Sequence, residues 1–267
     1  MMKGIDSDAS MINVFSRYKE DPRRHQEIMA KPKSRKNYAV CFTARSGSTM
    51  LCSLLTQSRA LGVPAEFLNP RGPMQKFLAE NPASSLEQLF DYLRREKTTP
   101  NGVFGFKVVY QDFKPVIDQQ LVERLLSPMQ YLYLTRKDLV LQAISLYRAI
   151  SSNQWHRFRN NVQKKLVEPR KVVFDEKKIL CQLDILQKDQ LQWEQFFREN
   201  SISALRLTYE SLLDDIQDVL ARIFNFLDVQ ADCSVDLGSS STEKLGDDTS
   251  LEWASRIRKK YPAMTTL

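Results

Sequence analysis

Short apolar runs bounded by polar residues recur along the chain. Tyr38-Ala39-Val40-Cys41-Phe42-Thr43 is the first, and its unbroken hydrophobicity suits a parallel strand buried on both faces. It is followed by the polar stretch Ala44-Arg45-Ser46-Gly47-Ser48-Thr49, then by Met50, Leu51, Leu54 and Leu55, whose spacing marks one face of a helix. Similar strand-like runs fall at 103–110, 131–135 and 204–208, separated by helical patterns at 115–126, 138–152, 177–199 and 209–227. Strands alternating with helices predict βαβ units, hence an α/β single domain: a mainly parallel sheet flanked by helices. Residues 1–36 carry few large apolar residues and no sustained stripe. They are expected to form a basic, polar and partly disordered N-terminal extension, with a short helix around 12–18, leaving 37–267 as the folded domain.

Charge sharpens that division. The 267 residues hold 39 Lys+Arg and 32 Asp+Glu, a formal charge of +7. Nine basic and five acidic residues lie in 1–36, so 9 − 5 = +4 sits there and +3 remains on 37–267. So small a remainder argues against general nucleic-acid affinity. There is no run of 18 apolar residues and no apolar core near the N-terminus, which predicts a cytoplasmic protein without stable membrane insertion. Cys41, Cys52, Cys181 and Cys233 form no C-x-x-C pair and are expected to be buried thiols. With only His25 and His156 present, a catalytic base is expected to be a carboxylate or a lysine, and no metal site is expected.

Two motifs carry candidate chemistry. A strand ending in a tight polar turn that runs into a helix aims backbone N–H groups and the positive end of the helix dipole at one point, which suits a phosphate-like anion. Gly47 allows close backbone approach, Ser48 and Thr49 add hydroxyls, and Arg45 adds a fixed cation. The spacing is not the G-x-x-x-x-G-K-[ST] of nucleoside-triphosphate loops. A serine-capped helix after a strand is the ordinary alternative. The second motif is Thr135-Arg136-Lys137-Asp138 running to Ser145. It delivers Arg136 to the carboxyl edge of the sheet, makes Asp138 a helix cap, and puts Ser145 two turns along, in position to join Arg136 around a second anion.

The two motifs, about ninety residues apart, together resemble the paired phosphate sites of sulfotransferases that use 3′-phosphoadenosine 5′-phosphosulfate (PAPS), and most of all the bacterial trehalose 2-sulfotransferase family with its R-S-G-S-T loop. The resemblance extends through Gly62–Leu68, Asn101–Lys107, Ser145–Ala149 with Trp155, and Glu252-Trp253, covering roughly residues 38 to 258. It implies a P-loop-like sulfotransferase fold and PAPS as donor, with the 5′-phosphosulfate held by Arg45, Ser46, Gly47, Ser48 and Thr49. The 3′-phosphate would fall to Arg136 and Ser145. Glu66 stands at the position of the general base, and Val108 and Val109 occupy the place of the superfamily's usual histidine.

Lys107, at a strand end, is expected either to approach the sulfuryl group or to snorkel from the sheet edge. Around 242–253 the sequence departs from the glycine-rich nucleotide lid of cytosolic sulfotransferases, and Lys244 stands for the arginine of the trehalose enzymes. Trp155 is a candidate for stacking on a sugar or adenine, whereas Trp193 and Trp253 read as core. Glu66 and Phe67, with Asn69 and Arg71, outline an acceptor pocket for a carbohydrate or glycolipid. The resemblance also implies a homodimer. Beside it stand a kinase with an unusual phosphate loop and a non-catalytic anion- or nucleic-acid-binding protein.

Overall fold

The computed structural model describes residues 14–155, 172–230 and 248–263. Four parallel strands, β1 (Lys36–Phe42), β2 (Val103–Val108), β3 (Met129–Thr135) and β4 (Leu205–Thr208), form one sheet in the order β2-β1-β3-β4. The helices are α1 (Pro22–Met29), α2 (Ser48–Gln57), α3 (Pro73–Glu80), α4 (Leu86–Glu96), α5 (Tyr110–Asp118), α6 (Leu139–Ser152), α7 (Glu176–Glu199), α8 (Tyr209–Asp214), α9 (Ile216–Leu227) and α10 (Asp248–Lys260).

The period of two along β1 divides the core. Ala39 and Cys41 point to one face, against Phe104, Phe106, Tyr131, Tyr133 and the aromatic group Trp193, Phe196 and Phe197 of α7. Tyr38, Val40 and Phe42 point to the other, against Leu132, Leu134, Leu51, Leu55 and Ile223. Tyr38 lies across Gly105, its register partner on β2; a Cβ there would meet the ring at 2.2 Å, so only glycine fits. A third cluster joins α6, α7 and α10 through Ile144, Leu183, Trp253 and Ile257. Trp193 and Trp253 are core residues, as expected.

Strand order fixes where a ligand fits. The chain leaves β1 for β2 on one side and returns past it to β3 on the other, so the crevice between the β1 and β3 carboxyl ends is the switch point. Phe42 pairs in register with Leu134 and Thr135 with Thr208, which starts the three loops at 43, 136 and 209 side by side.

Several boundaries differ from the sequence pattern. The strand expected over 103–110 ends at Val108, and α5 runs Tyr110–Asp118 with Pro115 inside it, followed by a π-helical turn Val122–Leu126, in place of one helix over 115–126. The helix expected over 209–227 is broken at Asp215, whose carboxylate caps α9 by accepting from the Asp218 N–H at 2.9 Å. Residues 14–36 are not a solvated extension: Val14, Phe15 and Ile28 are buried. Their charges hid this by pairing with the chain itself, Arg24 and Lys31 with Glu96 (3.1 and 2.9 Å) and Lys33 with Asp91. Asp21 caps α1, and Val14 and Phe15 are helical within the expected 12–18 segment, of which 12 and 13 lie outside the described residues. Cys41 and Cys52 are buried thiols as expected, but Cys181 is exposed on α7; Cys233 and His156 lie outside the described residues.

Candidate active site

The loop after β1 carries two residues with left-handed backbone, Arg45 (φ 67°) and Gly47 (φ 87°). In a non-glycine residue this conformation costs about 1 kcal/mol or more and persists only where the surroundings enforce it. Gln142 of α6 does so here. Fully buried, its amide donates to Thr43 Oγ1 at 2.9 Å and to the Ala44 carbonyl at 2.7 Å. Gly47 is closed in by the Tyr209 ring, which a Cβ would meet at 2.5 Å. Gly47 is also the N-cap of α2, so the first-turn N–H groups of that helix have no side-chain cap. The serine-capped alternative is thereby excluded. Ser46 is wholly buried, and its hydroxyl has no hydrogen-bond partner among the described residues. An uncapped helix start beside an orphaned hydroxyl and an arginine fits an oxyanion.

Arg136, delivered by β3, lays its guanidinium over the Tyr209 ring at 4.9 Å, and its buried Nε also has no partner among the described residues. Its loop is fixed by the Lys137 N–H donating to Glu210 at 3.0 Å and by Asp138, which caps α6 at the Leu141 N–H (2.9 Å) and pairs with Arg258 at 2.7 Å. Ser145 is oriented toward Arg45, whose Nε donates to its hydroxyl at 3.1 Å; Arg45 Nη1 also donates to the Trp155 carbonyl. Burial pulls the Arg45 pKa down, and the like charge of Arg136 adds to this. Two neighbouring guanidinium groups that repel each other make a site for a ligand with more than one negative charge.

Across the crevice, β2 brings Lys107 to the same place. Its side chain is 9% exposed and pairs with Glu66 Oε1 at 2.9 Å, donates to Thr49 Oγ1 at 3.2 Å and stands over the Phe42 ring at 5.3 Å. It therefore does not snorkel. Asn69 Nδ2 donates to Glu66 Oε2 at 2.9 Å, and the Lys107 N–H donates to the Ala65 carbonyl at 3.0 Å, so the loop bearing Glu66 is stitched to the end of β2. One chain of contacts thus runs from the phosphate-type loop through Lys107 to a carboxylate. Phe67 is not part of this surface: it is 6% exposed and packs edge-on against Phe77, since the turn that presents Glu66 sends the next side chain into the core. Trp155 stays 43% exposed, and Lys244 lies outside the described residues. No cluster of three or more metal-ligating side chains occurs among the described residues, and no described helix is long and apolar enough to cross a membrane.

Two residues that shape the site carry no motif, Gln142 and Tyr209; neither does Asp112, in the first turn of α5. Asp112 is the least expected, its carboxyl pushed up to about 7 by burial and then by the negative charge of Glu66, against the pull of Arg71.

A parallel α/β sheet with an anion-type loop at its switch point and a carboxylate beside it suits a group-transfer enzyme, and the family match makes its class that of the sulfotransferases. Residues 37–260 match the Stf0 sulphotransferase family, and the chain belongs to it. It is 24% identical over 260 residues to the trehalose 2-sulfotransferase of Mycolicibacterium smegmatis, covering 83% of this chain and 94% of that one. To the enzyme of the same name from Mycobacterium tuberculosis it is 22% identical over 264 residues, covering 85% and 96%. The sulfotransferase domain of the Synechococcus PCC 7002 olefin synthase superimposes with a TM-score of 0.53 at 18% identity, over 85% of this chain and 90% of that domain, which speaks for the fold. Family membership sets aside the kinase and the non-catalytic binding protein.

Proposed function

We propose that this sulfotransferase moves a sulfuryl group from PAPS to a hydroxyl of a carbohydrate or glycolipid, with Glu66 as general base. The observation that carries this reading is the Lys107 bridge, 2.9 Å from Glu66 and 3.2 Å from Thr49, which sets a proton acceptor beside the anion loop. Likeness to two trehalose 2-sulfotransferases supports a sugar acceptor. Arg45, the buried Ser46 hydroxyl and the uncapped N–H groups from Ser48 onward suit the 5′-phosphosulfate. Arg136 suits the 3′-phosphate, Lys244 belongs to the same group by its sequence position, and Ser145 orients Arg45 until a ligand is present.

In the transfer, the acceptor oxygen forms a bond to sulfur as the bond from sulfur to the 5′-phosphate oxygen breaks. The hydroxyl proton passes to a Glu66 oxygen, and the departing electron pair stays on the phosphate, where Arg45 and the loop N–H groups meet its charge. Positioning and fixed donors supply the catalysis, as in phosphoryl transfer. Trp155, with its exposed indole, remains a stacking candidate for the sugar. Residues 37–267 carry this chemistry, and 1–36 lie outside it. Incubating the full chain with sulfur-labelled PAPS and a panel of disaccharides and glycolipids tests the reading. Label should appear on a sugar hydroxyl; label on none of them, with the donor intact, overturns it.

A further inference from the structure

The turn that presents Glu66 is built around Asn69. Phe67 on one side of it and Met74 on the other are buried in one core cluster, which anchors the turn at both ends. The Asn69 N–H donates to the Glu66 carbonyl at 2.9 Å, and its own carbonyl accepts from the N–H groups of Gly72 and Met74 at 3.4 and 3.3 Å. Its side-chain Oδ1 accepts from the Arg71 N–H at 3.0 Å, a local turn bond that an aspartate or serine oxygen makes equally well. That bond leaves the amide one orientation, with Nδ2 aimed at Glu66 Oε2, 2.9 Å away. Lys107 holds the other carboxylate oxygen, Oε1, at 2.9 Å. Donors on both oxygens fix the plane of a carboxylate and favour its ionised form, which is the form a general base needs. The turn itself makes no use of the amide nitrogen; the carboxylate does.

We infer that Asn69 is the positioning residue of the base: its amide nitrogen holds the Glu66 carboxylate in the orientation, and in the ionised form, from which it takes the acceptor proton. This rests on Glu66 being the base, as proposed above. Asn69 moves no proton and acts through Glu66.

Asn69→Asp tests this, because it keeps the side-chain size and the oxygen that takes the Arg71 N–H but exchanges the donor toward Glu66 for a second negative charge. Both changes disfavour ionised Glu66, so the acid limb of kcat/KM, measured on the full chain with PAPS and a sugar acceptor, should move to higher pH by about two units, with the rate recovering as pH rises. Asn69→Ser, whose hydroxyl can take the turn bond without adding a charge, should move the limb up by about one unit. Lys107 of β2, Cys52 of α2 and Asp112 of α5 are the titratable groups whose charge reaches Glu66. All three are the same in every protein compared, so a displaced limb reports residue 69. Affinity for 3′-phosphoadenosine 5′-phosphate should stay within about twofold of wild type, since Asn69 serves the acceptor side. A role in the turn alone predicts an Asn69→Asp limb within about 0.3 unit of wild type, and that result overturns the proposal. Glu66→Gln, assayed beside these variants, separates the two readings. Full turnover there removes the base and this proposal together, whereas low turnover there with an unmoved limb in Asn69→Asp refutes the role of Asn69 alone.

Discussion

Replacing Gln142 by leucine removes the tie between the two anion motifs while keeping a similar volume in a fully buried position. Its amide donates to Thr43 Oγ1 and the Ala44 carbonyl, and each bond contributes about 1 kcal/mol net, about 2 kcal/mol together. Against that, its Oε1 is buried without a partner among the described residues, and removing it returns about 1 kcal/mol. The net loss of stability is about 1 kcal/mol, or about 2 to 4 °C in Tm for a chain of this size. The loop pays more heavily. Arg45 is held left-handed next to that anchor, and freeing the loop adds an ordering cost of about 1 to 2 kcal/mol on binding, or about 5- to 30-fold in Kd for 3′-phosphoadenosine 5′-phosphate. Calorimetric titration beside thermal melts separates the two effects. A variant with lowered Tm and unchanged nucleotide affinity would show that Gln142 serves the core alone.

Gly47→Ala should cost about tenfold or more in nucleotide affinity, because its Cβ meets the Tyr209 ring at 2.5 Å on a backbone of φ 87°, and the same titration reads it. Ser145→Ala removes the hydroxyl that takes the Arg45 Nε–H and should raise the donor KM a few-fold, leaving the acceptor KM unchanged in steady-state kinetics. Asp189 has its pKa raised to about 6 by burial, so the stability its neutral form contributes is complete below about pH 4 and lost as pH rises through about 6. In thermal melts the Asp189→Asn protein should match wild type near pH 4 and exceed it at pH 8; a constant difference across that range refutes the assignment.

The strands were legible because parallel strands buried on both faces must be apolar throughout, and β1 and β2 are buried along almost their whole length. The anion loop was legible because its chemistry is local: strand end, Arg45, Gly47 and helix start follow one another in the chain. Glu66 and Lys107 were named by resemblance, but their pairing across 40 intervening positions is tertiary and left no local trace. Gln142 left one: a single amide amid Leu139, Val140, Ala143 and Ile144 on a helix that buries it completely. Tyr209 left none, since a tyrosine after a strand is ordinary until the sheet order sets it against Gly47 and Arg136. Phe67 misled by adjacency to Glu66, because consecutive residues of a turn point opposite ways. Helix α4 was announced by Ser85 and Gln88 at capping spacing before Leu89, Phe90 and Leu93, a signal that the surrounding charges masked.

The most direct test of the account is turnover by Glu66→Gln, measured with PAPS and a sugar acceptor beside nucleotide binding in the same preparation. Glutamine keeps the size of the side chain and a hydrogen bond toward Lys107 but takes no proton. Turnover should fall by about 10²-fold or more while the affinity for 3′-phosphoadenosine 5′-phosphate stays within about twofold of wild type. Full turnover by Glu66→Gln would contradict the assignment of the base.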